Sequence, residues 1–407
     1  MTERERRSRI IDYLRAGKAD AAANELASSR EFYPGDGALH HAIGLAFASS
    51  GTLDRAREQL ETALKLSPNS AEILSDLAQV WLAQGQTDEG IQAAEQALEI
   101  EPELPIAHFT LGRACFVTEC ARQARRSAHQ EPGCDFPLID GRTPLYLRAQ
   151  QEMEAALYAS PPFLPAVRAA LSFAYLRAGH YHAAAEQLSA QLADLPPGEE
   201  ADRSRARLQT VECEIVRERY WAMDSHDLPR LERLADGPDG SAEARLRLAH
   251  AHAVLADEEA LAAALSRALD AGYQPRAARI SRDTAANHSH EAVSDVHVLI
   301  AGGLECIADN ALRFLPFRII DSVAFGPPSA WRSAEIVLNT GDRLDALVPS
   351  LYRLSLRSSN DLIQSGRFTQ FRYAPGESRY ARAIGTRNLG TEDGVIPFTE
   401  VEAIHFE

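Results

Sequence analysis

Over roughly the first 270 residues, apolar positions recur every three to four residues in Ala- and Leu-rich blocks, which predicts one amphipathic helix after another. A longer period overlies this one. Pro34, Pro68 and Pro102 are evenly spaced and each closes a helical block, the spacing of stacked helix pairs. Between the first two prolines the pattern is carried by Ile43, Gly44, Phe47, Gly51, Ala56, Leu60 and Ala63. Leu77, Ala78, Trp81, Gly85, Ala94 and Ala97 repeat it one period on, and Tyr13, Gly17, Ala22 and Leu26 one period before. Small residues let two antiparallel helices approach, an aromatic ring fills the space between them, and glycine sits where the chain turns. This is the arrangement of a tetratricopeptide repeat, so residues 1–117 are read as such repeats, with Tyr13, Phe47 and Trp81 in their core.

A fourth repeat opens at Leu111-Gly112 in a helix predicted over about 106–117 and then breaks off. The Arg-, Pro- and Gly-containing residues 118–144 are expected to form an insertion loop between its two helices. A fifth repeat shows Leu171, Tyr175, Gly179, Ala184, Leu188 and Pro196 at the same offsets, and residues 145–300 read as continued, degenerate helical repeats.

Past residue 300 the period changes from helical to alternating. Candidate strands are Leu304–Ala308, Arg313–Phe317, Ser322–Phe325, Ala334–Leu338, Leu344–Val348, Phe368–Tyr373 and Ile396–Phe406, the last broken in two. Turn signals fall at Asp309-Asn310, at Asn339–Asp342 and at Glu392–Gly394. The expected fold is therefore mostly α with a C-terminal β-rich domain: a tetratricopeptide-repeat α-solenoid, then a small β-barrel-like or curled antiparallel sheet over residues 301–407.

Such repeats present their first helices to a groove. Projection of the repeat places Ile11, His41, Leu45, Gln79, Leu82, Phe109, Arg113 and Phe116 on that face, a mixture suited to an amphipathic helix or an extended peptide. Repeat domains that clamp a C-terminal carboxylate use groove lysines, and this chain has only Lys18 and Lys65, neither in the groove set. In the β-rich domain Trp331, Arg367, Phe371 and Arg372 are the candidate exposed contact residues.

Charge narrows the choice of partner. The 42 basic against 58 acidic side chains give a net charge of −16, which argues against nucleic acid and anionic membranes and for protein partners. The start, MTERERRSRIIDYL, lacks the apolar core of a secretory signal, and no run of about 20 apolar residues appears, so a cytoplasmic protein without membrane spans is expected. Five scattered cysteines without CxxC spacing predict buried thiols and no zinc site.

Catalytic signatures do not emerge. No P-loop, HExxH, GxSxG or GxGxxG pattern occurs. His288, His290 and His297 are read as a solvated helix start, and Asp342, Asp345 and Asp361 show no convergence beyond a hairpin turn. The expectation is a non-enzyme that needs no cofactor or metal.

Four ordered blocks at the C-terminal end carry a resemblance: LECIADNALRFLPFRIIDSVAFGPPSAW, LDALVPSLY, NDLIQSGRFTQF and GTRNLGTEDGVIPFTEVEAIHF. Together they resemble the ImpE/TagJ (SciE-type) accessory proteins of type VI secretion, through Pro316-Phe317, Trp331, Val348-Pro349, Tyr352, Arg367, Pro397 and Phe406. The resemblance implies a cytoplasmic, non-catalytic adaptor that binds the small subunit of the contractile sheath through a short helical segment. A second reading stays open from the residues alone: a repeat-based sensor or regulatory scaffold whose groove takes a signalling peptide or small molecule.

Overall fold

In the computed structural model, the described residues are 3–28, 36–128, 139–158, 164–225, 228–236, 244–245, 247–248, 276–282, 288–295, 303–352, 355, 369–373, 381–385, 387–391 and 394–406. They form two compact units. One comprises Met1–Arg122, Asp140–Ala174 and Ala190–Leu195; the other comprises Gln123–Ile139, Tyr175–Ser189 and Pro196–Glu407.

The first unit is built of helix pairs. These are α1 (Glu3–Arg15) with α2 (Ala19–Ser28), α3 (Gly37–Ser49) with α4 (Leu53–Leu66), and α5 (Ala71–Ala83) with α6 (Thr87–Ile100). Asp36 and Ser70 cap α3 and α5 by accepting the backbone N–H of Leu39 and Ile73. Each first helix ends in the same closure. Gly17, Gly51 and Gly85 take φ of 67°, 75° and 80°, and the next residue's N–H donates to the carbonyl of Tyr13, Phe47 or Trp81, as a left-handed C-cap requires. The repeat's aromatic residue thus fills the space between helices with its ring and closes the turn with its backbone. Ile10, Ile43, Phe47, Leu60 and Leu77 are fully or nearly fully buried in one continuous core.

The fourth repeat departs from the sequence reading. Its first helix, α7, runs from Pro105 to Ala128, well past Val117. Position 119, one period after Gly85, is a glutamate; with no residue there that accepts a left-handed turn cheaply, the helix continues. Residues 129–138 lie outside the described residues. The second helix, α8 (Pro144–Ala155), still finds its place: Gly112 packs against Ala149 and Met153 of α8 as Gly44 packs against Ala56 and Leu60 of α4. Helices α9 (Leu164–Ala178) and α10 (Tyr181–Asp194) follow, with Gly179 at φ 82° between them.

Beyond them, α11 (Glu199–Ser225) and α12 (Leu228–Asp236) precede the β-rich part. Its strands are β1 (Arg276–Arg282), β2 (His288–Asp295), β3 (Gly303–Ala308), β4 (Ala311–Pro316), β5 (Ile320–Phe325), β6 (Trp331–Leu338), β7 (Arg343–Pro349), β8 (Thr369–Tyr373), β9 (Ala381–Gly385), β10 (Asn388–Thr391), β11 (Gly394–Pro397) and β12 (Val401–Phe406). Ten of them form one sheet in the order β11-β10-β2-β1-β12-β5-β6-β7-β3-β4, while β8 and β9 pair separately. Every neighbouring pair in the sheet is antiparallel, and among the described residues no ladder joins β4 to β11, so the sheet is open and not closed into a barrel. The Asp309-Asn310 hairpin carries φ of 53° and 59°, the paired left-handed geometry that matches strand twist.

Two strands lie before residue 300, where the sequence pattern predicts helix. β1, RAARISR, buries only Ala278 and Ile280 between arginines, so its alternation is masked by charge. β2 holds His288 and His290 at strand positions two apart, not at a helix start, and His297 lies outside the described residues. The last candidate strand is indeed two, separated by a 3-10 turn at Phe398–Glu400.

Candidate partner-binding cleft

The first helices of successive repeats line a cleft of about 310 Å³ in the first unit. Leu45 and Ala48 come from α3, Leu53 from α4, Asp76, Gln79, Val80, Leu82 and Ala83 from α5, and Arg113 and Val117 from α7. Four of the eight residues expected on the groove, Leu45, Gln79, Leu82 and Arg113, meet there. Leu45, Gln79 and Arg113 occupy one and the same repeat position in three consecutive repeats. Translation of the repeat stacks them, and side-chain chemistry changes along the stack from apolar to amide to cation.

His41 stands behind this wall. Its Nε2 lies 2.6 Å from Asp76 Oδ2, and Gln79 Nε2 donates to Asp76 Oδ1 at 3.3 Å. Asp76 is thereby oriented from two sides within the cleft lining. It was not among the expected residues, although it and Glu72 are the only charges of α5. Leu45 and Val117 remain 41% and 49% exposed, so the cleft keeps apolar surface open to solvent.

Three expected groove residues lie elsewhere. Phe109 is buried with Ala156 and Val167 and supports Arg113, whose guanidinium sits 5.4 Å above its ring. Phe116 is buried edge-on against Tyr146 and Phe173 at 6.2 and 6.0 Å. Both rings pack on the helical segments that follow, α8 and α9 for Phe116 and the end of α8 and α9 for Phe109. Ile11, on α1, is exposed and does not line the cleft.

Of the four residues expected on the β-rich domain, three fall among the described residues. Trp331 is buried, not exposed. Its indole N–H donates to Glu214 Oε1 of α11 at 3.0 Å, beneath Arg217 at 5.4 Å from the ring. Phe371 and Arg372 belong to β8, opposite Ala383 and Arg382 of β9, outside the ten-stranded sheet. Arg367 lies outside the described residues.

What surrounds Trp331 is a seat for α11. Cys213, Ile307, Leu312, Phe314 and Trp331 form an apolar cluster, with Tyr220 5.6 Å from Phe314. At its centre Arg217 grips Glu305 of β3 through Nε (2.7 Å) and Nη2 (2.8 Å) and reaches Glu214 at 3.3 Å. Burial opposes the charge on Arg217, but Glu305 and Glu214 outweigh it and its pKa is raised. With Arg217 committed bidentately to Glu305, burial dominates at Glu214 and pushes its carboxyl above the usual range. Burial likewise raises the Cys213 and Cys306 thiols to about 12, far from nucleophilic readiness at neutral pH.

The family comparisons match the two ends of the chain to different families. Residues 8–71 and 47–108 match tetratricopeptide-repeat models, and residues 287–405 match the model of the ImpE protein family. The chain carries an ImpE domain C-terminal to tetratricopeptide repeats. The ImpE match starts at the edge of β2, so β1, hydrogen-bonded to β2 and β12, precedes the matched segment. No curated protein sequence matches. Among solved structures, protein VPA1032 from Vibrio parahaemolyticus is similar at 16% identity over 64% of this chain and 93% of that one, with a TM-score of 0.47. A tetratricopeptide repeat protein from Parabacteroides merdae gives 15% over 67% and 93%, TM-score 0.38, and MamA of Desulfovibrio magneticus gives 20% over 50% and 96%, TM-score 0.36. Among the described residues no helix is long and apolar enough to cross a membrane.

Proposed function

We propose that this protein is a non-catalytic accessory protein of a type VI secretion system. Its repeat cleft receives a short amphipathic helical segment of a sheath component, the small sheath subunit, and its ImpE domain provides a second protein contact. The observation that carries this reading is the cleft built from Leu45, Gln79 and Arg113, one repeat position in three successive repeats, on a chain that also bears an ImpE domain. An apolar wall with an oriented carboxylate and an arginine in the lining suits a helix that buries one apolar face and places polar groups at its margins.

Capture of purified small and large sheath subunits by the full-length chain tests it. Cutting at residue 300 would separate α11 from Glu305 and Trp331, so whole-chain variants are the informative reagents. Leu45→Glu puts a charge on the apolar wall and should weaken capture of the small subunit at least about tenfold, or 1.4 kcal/mol. Equal capture by parent and variant would remove the cleft from the mechanism, and no capture of either subunit would remove the sheath partner.

A further inference from the structure

The strand order of the sheet is the same from both ends. Outward from the central pair β12 and β5, the neighbours are β1 and β6, then β2 and β7, then β10 and β3, then β11 and β4. One half is β3 to β7 in chain order. The other is β10, β11 and β12 followed by β1 and β2, the same succession with the chain opened between its third and fourth strands.

The correspondence extends to single residues. β4 ends at Pro316-Phe317 in a 3-10 turn that leads into β5; β11 ends at Pro397-Phe398 in a 3-10 turn that leads into β12. The two prolines have φ, ψ of −58°, 137° and −60°, 132°. Ser322 pairs with His405 and Ala324 with Ala403, on either side of Val323 opposite Ile404. The shift along the chain that carries Pro316 onto Pro397 also carries Ser322 onto Ala403 and Ala324 onto His405, so the two pairs are mates, as a two-fold axis through Val323 and Ile404 requires. The flanking strands agree as well: Ile336 and Ala334 face Val323 and Phe325, while Ile280 and Ala278 face Ile404 and Phe406. Both ladders slip at the equivalent step, past Asp321 in one and Glu402 in the other.

Side chains follow the same axis. Arg332 Nη1 donates to the carbonyls of Phe398 and Val401, both at 2.8 Å. Arg276 Nη1 donates to those of Phe317 and Ile320 at 2.8 and 2.7 Å. Phe317 meets Phe406 at 4.8 Å, and Phe398 meets Phe325 at 4.9 Å.

We propose that the sheet is an internal duplication: two interchangeable copies of one five-strand unit, the second circularly permuted, in which Arg276 and Arg332 are equivalent clamps on the other copy's Pro-Phe turn. The copies share their core and differ at the α11 seat. Glu305 and Phe314, which hold α11, correspond to Gly390 and Val395, and Val395 is 55% exposed. The first copy is thus specialised for the helix.

Reciprocal exchange of residues 320–325 (IDSVAF) and 401–406 (VEAIHF) in the full-length chain tests the equivalence, read by hydrogen-exchange protection of β5 and β12 and by thermal unfolding. Each transplanted strand should meet the same arginine, alanine and isoleucine neighbours, and the transition should stay within about 5 °C of the parent. A control with both hexapeptides shifted by one residue turns the apolar set to the wrong face and should lose protection. A second exchange takes residues 316–325 and 397–406 whole, turns included. Retention by either exchange with loss in the control upholds the duplication. Loss in both exchanges, or equal retention in the control, overturns it.

Discussion

Through the first three repeats, Ser75 is the one polar side chain buried among the described residues, and close helix contacts are made by Gly44 against Leu60 and Ala56 and by Gly90 against Leu82 and Ala78. In the unit that contains the ImpE domain, buried charges sit at the centre of the packing: Arg217, Glu214, Glu305 and Arg332 are each at most 4% exposed. The repeats spread their cohesion over many small, similar contacts, each within or next to its own helix pair. The sheet unit places its specificity in a few charged groups whose partners lie far away in sequence, 88 residues for Arg217 and Glu305. A single side chain should therefore matter much more in the second case. Substitutions that remove a charge there, and substitutions that crowd or strain a repeat, put that difference to the test.

The largest effect is expected at Arg217. Arg217→Met leaves Glu305 and Glu214 buried without their cation and should cost about 3–5 kcal/mol, measured by chemical denaturation with Trp331 as the local probe. Adding Glu305→Met should recover much of that loss, since an apolar pair of similar volume replaces the ion pair. A loss below about 1 kcal/mol, the range of an exposed pair, would mean that solvent reaches the cluster.

In the repeats the corresponding limit is steric. A side chain at Gly112 would place its Cβ 2.7 Å from Met153 Cγ and 2.9 Å from the Ala149 carbonyl oxygen, so Gly112→Val should cost about 1–3 kcal/mol through overpacking. Hydrogen exchange would show the loss in α7 and α8 and leave α3 and α4 protected, if repeats fail one at a time.

Glu214 gives a smaller, pH-dependent effect. Its folded-state pKa lies above the ordinary value, so the folded protein holds this proton more tightly than the unfolded chain. Stability from this group is present below the ordinary glutamate pKa of about 4.3 and is lost as pH rises through the raised folded value. Glu214→Gln should flatten that decline and raise the unfolding midpoint at neutral pH relative to the parent. A variant whose pH profile superimposes on the parent's would show that Arg217 fully compensates both carboxylates.

These differences also explain what could be read from the chain. The repeats were legible because one constant translation along the sequence carries each contact onto the next, and the same translation collected Leu45, Gln79 and Arg113 on one wall. Projection failed at Phe109, which packs on Ala156 and Val167 beyond α8, and at Phe116, which packs on Tyr146 and Phe173; the length of α7 was missed at Glu119, the position where a glycine would have closed the helix. Strands β3 to β8, β11 and β12 were located from alternation and β9 and β10 were not, whereas β1 and β2 present arginine and histidine at positions that a binary pattern reads as polar. The α11 seat had no local signal at all: Trp331 looks like a surface anchor until Glu214, 117 residues earlier, is placed against it.

The smallest effect isolates backbone conformation from packing. Gly51 has φ of 75°, and a Cβ built there meets nothing within 4 Å. Gly51→Ala therefore adds no contact and removes none; it forces an L residue into the left-handed region at a cost of about 1 kcal/mol. Gly51→Asn should cost less, because asparagine tolerates that region by bonding locally. The order Gly, Asn, Ala in thermal stability would establish the turn as conformational. Equal losses for Asn and Ala would point instead to a steric neighbour that the open space around Gly51 does not contain, and would take away the explanation offered for the regular recurrence of Gly17, Gly51 and Gly85.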